Sequence, residues 1–249
     1  MKTFTTPTEY LDLLEIRAAN LEVTVETEEN LTEAVIELTG PEEILAGSSA
    51  ERTATRWTLT IPAPEPTMVS GSGNVGIVAG NIVGGSVTIS SGDLVVGGSR
   101  VTNTVASPGA GKPVRGTIRV PAGTDLTVPD LAHGSVTAPG TYGAVKVSSA
   151  NAEIDIGHAR EVEIEATNGD VAIGSASELI DVSTTNGDID TGSAPRSRAT
   201  STNGDIWVLA YGDHRIRART TNGDIDIARN GHARAEISTS TTNGRDRVR

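Results

Sequence analysis

Carboxylates set at a fixed place in a repeated phrase are the residues of this chain whose type and spacing suit chemistry. "TTNGDID" occurs at 184–190 and again at 220–226, with variants "ATNGDVA" (166–172), "STNGDIW" (201–207) and "TTNGRDR" (241–247). Asp170, Asp188, Asp205 and Asp224 each follow the turn glycine, and Glu153 holds the same place in the looser "ANAEIDI". A row of hard carboxylate oxygens could take calcium, and a pair of carboxylates across a sugar bond could hydrolyse it. Each reading meets an obstacle. The known calcium β-roll repeats every nine residues with a G-G-x-G-x-D pattern, which this phrase lacks. Polysaccharide chemistry would need one atypical unit with a carboxylate pair, and none interrupts the array. The preferred reading is that each Asp accepts hydrogen bonds from nearby backbone N–H groups or faces solvent. The four aspartates therefore stand as weak metal candidates, with no catalytic residue and no cofactor expected. His133, His158, His214 and His232 fall at different offsets in their units and are not expected to converge.

The aspartates must be positioned by a repeat. The turn pairs are Asn168–Gly169, Asn186–Gly187, Asn203–Gly204, Asn222–Gly223 and Asn243–Gly244, with glycines 18, 17, 19 and 21 residues apart. Degenerate units reach back through Ala152 and Gly134 to Gly116, so the period spans roughly 116–249. Apolar residues follow each turn at alternate positions, as in Ile154 and Ile156 or Val171 and Ile173. Others precede it in the same way, as in Val162 and Ile164 or Ile180 and Val182. Alternation on both sides of a tight turn predicts strand, turn, strand. Asn-Gly suits that turn because both residues tolerate positive φ. Two architectures fit. Asn-Gly between alternating strands is a hairpin signal and would give an antiparallel meander. Alternatively each unit of about 18 residues is one coil of a β-solenoid, with equivalent residues stacked about 4.8 Å apart. Near-identity of successive copies favours the solenoid, where like residues touch and an Asn ladder can form.

Three regions are expected: an N-terminal β region (1–66), a Gly-rich insertion (67–113) with possible extra coils, and the turn-repeat array (114–249). "LEIRAANLEVTVE", "AVIELTG" and "RWTLTIP" read as strands of the first region. Two phosphate-binding lookalikes fall in the insertion. "GSGNVG" (71–76) lacks the strand before it and the helix after it that a dinucleotide site requires. "GAGKP" (109–113) would need Gly at 106 and a hydroxyl residue at 113 to form a phosphate loop; it has Ala106 and Pro113.

The 249 residues include 28 Gly and only 2% aromatics, which predicts a thin core of small β-branched side chains. A formal charge of −12 argues against a nucleic-acid partner held through phosphates. The absence of Cys excludes disulfides and thiolate metal sites. No stretch approaches the roughly 20 apolar residues of a membrane span. "MKTFTTPTEY" has no apolar signal core, so synthesis in the cytoplasm is expected. If the chain is phage-encoded, it would reach a virion or the cell exterior after lysis.

One unit stands out. In "DIWVLAYGDH" (205–214) the inward places go to Ile206 and Val208, which sends Trp207, Leu209 and Tyr211 outward as an expected partner-binding row. The alternative is that the row lies beneath another part of the chain.

Several stretches also resemble an actinobacterial "putative adhesin" β-strand-repeat family of unknown function. They are the opening "MKTFTTP", "AERTATRWTLTIPAPE", the array entry "GTIRVPAGTDLTV" and "TSTNGDIWV". The resemblance spans nearly all of the chain outside 67–113. It implies a β-solenoid-like fold and carries over no catalytic residue. Residues and resemblance together predict a non-enzymatic structural or adhesion-type scaffold that presents a binding surface. Its partner is expected to be a protein or a second copy, with a surface glycan also possible. The alternatives are a phage virion component (head decoration or tail protein) and, less favoured, a polysaccharide-acting β-helix enzyme.

Overall fold

The computed structural model describes residues 1–63, 94–96, 99–101, 113–211, 214–230 and 235–249. Two units divide the chain: Met1–Ala63 with Lys112–Arg249, and Pro64–Gly111. The N-terminal region and the repeat array thus share one unit.

Its N-terminal part contributes β1 (Lys2–Pro7), β2 (Leu13–Ala18), β3 (Asn20–Glu28), β4 (Glu33–Thr39), α1 (Glu42–Gly47), β5 (Ser49–Thr53) and β6 (Arg56–Ile61). Within the second unit, β7 (Leu94–Val96) and β8 (Ser99–Val101) form an antiparallel pair. Both phosphate-loop lookalikes, and any extra coils elsewhere in 67–113, lie outside the described residues apart from Pro113. The array then runs through β9 (Val114–Pro121), β10 (Asp125–Asn168), β11 (Val171–Asn186), β12 (Ile189–Ser193), β13 (Arg196–Asn203) and β14 (Ile206–Tyr211). It ends with β15 (Arg215–Arg219), β16 (Ile225–Asn230), β17 (Glu236–Ser240) and β18 (Asp246–Val248).

Every strand pair within the repeats is parallel and lies one coil apart. Ile154 pairs with Val171, Val171 with Ile189, Ile189 with Ile206, and Ile206 with Ile225. A hairpin meander would make these contacts antiparallel, so the array is a β-solenoid. Each coil has two straight stretches, one before the Asn-Gly corner and one after it. Stacking of the coils produces a pre-turn face and a post-turn face. In β10 the extended backbone continues round the corners, so that one strand of 44 residues covers more than two coils.

Burial alternates as the sequence pattern demands. The inward positions Ile154, Ile156, Val162, Ile164, Val171, Ile173, Ile180 and Val182 are buried, and the residues between them face outward. The facing rows of Ile, Val and Ala join one core. Such small side chains suffice because each coil also gains a full parallel ladder of backbone hydrogen bonds to each neighbour.

The N-terminal strands enter this stack as members of it. β3 lies between β9 and β10, with Val23 opposite Gly116 on one side and Val136 on the other. The units at Gly116 and Gly134 are therefore not successive coils, as the 18-residue spacing suggested. β2 likewise sits between β6 and β10 on the pre-turn face. Beyond them the pairing turns antiparallel, through β4 and β1 on one face and β5 on the other. Larger side chains fill this end, among them Leu14, Leu21, Leu38, Trp57 and Leu59, all buried. The arrangement ends the parallel stack with an antiparallel cap.

Candidate binding surface

The recurring corner shows what the Asn, Gly and Asp of T-N-G-D do. Asn168 donates from its side-chain amide to the Asn151 Oδ1 at 2.8 Å, and Asn186 donates to Asn168 at 2.8 Å. Asn203, Asn222 and Asn243 continue the ladder at 2.7 Å each. None of these asparagines has positive φ; their use is the ladder that stacked like residues were expected to form. The glycine beside it is required by close approach. A Cβ on Gly187 would lie 2.1 Å from the Gly169 carbonyl oxygen, and one on Gly204 would lie 2.0 Å from the Gly187 oxygen. Gly169 and Gly187 also have φ of 123° and 153°, which side chains disfavour. Gly244 repeats the steric constraint against Gly223.

The aspartate column is engaged in the same way. Asp170 Oδ1 accepts the Asp188 backbone N–H at 2.9 Å, and Asp188 accepts that of Asp205 at 2.8 Å. Asp205 and Asp224 accept from Asp224 and Arg245, both at 2.7 Å. A charge-assisted bond from the next coil offsets part of the repulsion along the column. Three residues before the glycine, the Thr220 and Thr241 hydroxyls donate to the turn-glycine carbonyls of the preceding coil at 3.0 and 2.9 Å. Among the described residues, no three His, Asp or Glu side chains converge as a metal site would require.

Sequence reasoning missed a second glycine column at the opposite corner. A Cβ on Gly174 would lie 2.5 Å from the Gly157 oxygen, and one on Gly192 would lie 1.6 Å from the Gly174 oxygen. The signal was present as "GHA", "GSA" and "GSA" at 157, 174 and 192. It is shorter than T-N-G-D and stands out less in the sequence.

On the post-turn face Trp207 projects outward with 39% of its surface exposed, while Ile206, Val208 and Ala210 are buried. Leu209 is half-buried, which corrects the expectation that it stands fully outward. Tyr211 ends β14, and its side chain lies outside the described residues. Trp207 is flanked across the ladder by Asp190 on one side and Asp226 on the other. Burial pushes the Asp190 carboxyl above its ordinary range. Asp226 pairs with Arg249. The result is an indole edged by carboxylates on a sheet surface. No helix among the described residues is long and apolar enough to cross a membrane.

Parallel coils, side-chain ladders at the corners and an outward aromatic define a β-solenoid repeat protein. The chain belongs to the Toastrack DUF4097 family, whose profile matches residues 116–249. The solved structure of a "putative adhesin" from Bacteroides fragilis resembles the whole chain with a TM-score of 0.56 at 15% identity. That likeness covers 100% of this chain and 96% of the other, so the shared fold includes the N-terminal strands. Two structures from Parabacteroides distasonis are more distant. One, a "putative adhesin", has a TM-score of 0.47 at 13% identity, covering 98% of this chain and 95% of its own. The other, a "putative lipid binding protein", has a TM-score of 0.48 at 12% identity, covering 99% and 97%. No curated protein matches the chain.

Proposed function

We propose that the protein is a non-enzymatic, adhesion-type scaffold that holds a flat β surface against a macromolecular partner, with Trp207 as its anchor. The observation that carries this reading is the exposure of Trp207. In a chain with so few aromatics, the other tryptophan, Trp57, is buried at 2% exposure while Trp207 stands at 39%. A large indole left in water on a rigid strand is the kind of residue that anchors an interface. The repeated polar side chains support the same reading from the opposite direction. The Thr, Asn and Asp of the corners bond to the neighbouring coil, and the surface differences between coils lie in the outward strand positions. The adhesin name carried by the Bacteroides fragilis relative agrees with a binding role.

The test uses Trp207→Ser in the full chain, with insoluble bacterial cell-wall polysaccharide and whole cells as probes. The variant should melt within a degree or two of wild type, because the changed side chain is partly solvated. Its co-sedimentation with at least one probe should fall by about tenfold or more, as truncation of an aromatic anchor does. Equal co-sedimentation of variant and wild type would remove Trp207 from the surface. Release of reducing sugar from the polysaccharide would overturn the non-enzymatic part.

A further inference from the structure

The pre-turn face carries charge in an order that only the strand register reveals. Across four neighbouring strands, Glu161 lies in line with Leu179, Arg196 and Arg215. The next outward row is Glu163, Asp181, Arg198 and Arg217, and the third is Glu165, Ser183, Thr200 and Arg219. A strand of three glutamates and one bearing Asp181 are thus followed by two basic strands. Like charges side by side in a ladder are unfavourable. Within the acidic half, the Asp181 carboxyl is pushed up by burial, held back by Arg198, and pushed further by Glu163 and Glu165. Within the basic half, Arg217 and Arg219 are exposed and make no ion pair among the described residues. The ion pairs that these residues do form, Lys146 with Glu163 at 2.9 Å, Arg160 with Glu161 at 3.6 Å and Arg215 with Glu236 at 2.9 Å, are between exposed side chains. Such pairs are weak and readily exchanged.

We propose that this face docks on the same face of a second copy through a two-fold axis running parallel to the strands between β11 and β13. That rotation reverses the order of the strands and keeps each residue's place along its strand. It lays Glu161, Glu163 and Glu165 against Arg215, Arg217 and Arg219 of the second copy, and Asp181 against its Arg198. The outer positions of every row, and the inner pair Asp181–Arg198, are complementary to their own reversal, as an isologous contact requires; Leu179 meets Arg196. A face built for an acidic polymer would need the arginine strands alone and would gain nothing from acidic strands in register beside them. Four strands about 4.8 Å apart, each contributing roughly five residues, give a footprint of only about 300 Å² per copy. The dimer is therefore reversible and salt-sensitive, at the weak end of specific interfaces. It uses the face opposite Trp207, so its failure and that of the binding role are separately visible.

The experiment measures the mass of the full chain against concentration by sedimentation in low salt. Wild type should approach twice the chain mass and return to one chain mass at about 1 M NaCl, where screening acts within roughly 3 Å. Two reversed variants are compared, Arg215→Glu/Arg217→Glu/Arg219→Glu and Glu161→Arg/Glu163→Arg/Glu165→Arg. Each alone should show a dissociation constant raised by at least about tenfold. Their equimolar mixture should dimerise again, because the altered outer strands of each variant then meet outer strands of opposite charge, with Asp181 and Arg198 unchanged between them. Should either triple variant fail to fold, Arg217→Glu and Glu163→Arg, each confirmed by its melting curve, replace them in the same comparison. A wild type that stays monomeric, reversed variants that self-associate like wild type, or a mixture that remains monomeric would each overturn the proposal. So would a wild-type monomer whose arginine strands capture polyglutamate instead.

Discussion

The Asn, Gly and Asp of T-N-G-D each have a separate physical cause, and the glycine is the least replaceable. In Gly187→Ala the new Cβ would meet the Gly169 carbonyl at 2.1 Å, and that carbonyl belongs to a backbone fixed by its own ladder. The coils must part locally, at a cost of about 3 kcal/mol. Ser183→Ala, an outward change in the same coil, should stay within about 0.5 kcal/mol. Chemical denaturation of both variants checks the contrast, and equal midpoints would remove the stacking role of the glycine. This part of the protein was legible in the sequence because identical residues recur at one coil's spacing. What the sequence could not show was which atom each side chain meets. The Asn ladder itself could be read from stacked like residues, and the Asn186 amide bonds to those of the coils on either side; that each Asp would accept the N–H of the residue one coil on could not. Leu209 was expected outward on alternation alone, but alternation gives direction and not the coverage supplied by neighbouring strands.

At the scale of elements, the parallel repeats could be read from period and alternation, while the entry of the N-terminal strands could not. β3 pairs with residues more than ninety positions away in β9 and more than a hundred away in β10, and local pattern holds no record of such a partner. Tyr142 marks the join. Its hydroxyl donates to the Val25 carbonyl at 2.6 Å, and burial pushes the phenol well above its ordinary pKa. Tyr142→Phe keeps the ring and leaves the Val25 oxygen without this donor, so a loss of about 1–2 kcal/mol is expected. Equilibrium urea unfolding measures it. An unchanged midpoint would mean that the phenol does not tie β10 to β3.

For the molecule as a whole, one scaffold separates structure from surface. The corners repeat because coils must stack, and the outward strand positions are free to differ: Trp207 between acidic strands on one face, acidic and basic rows on the other. The central claim is that the aspartate column belongs to the scaffold and not to a ligand site. The most direct measurement is the melting temperature of wild type, Asp188→Asn and Asp188→Ala, each in calcium chloride and in EDTA at matched ionic strength. Asn keeps the Oδ1 that accepts the Asp205 N–H and removes one charge from the column. If the column is structural, wild type melts at the same temperature in both solutions. Asp188→Asn then melts at or above wild type, and Asp188→Ala below it. A saturable rise with calcium in wild type, lost in Asp188→Asn, would contradict the account and make the column a metal site.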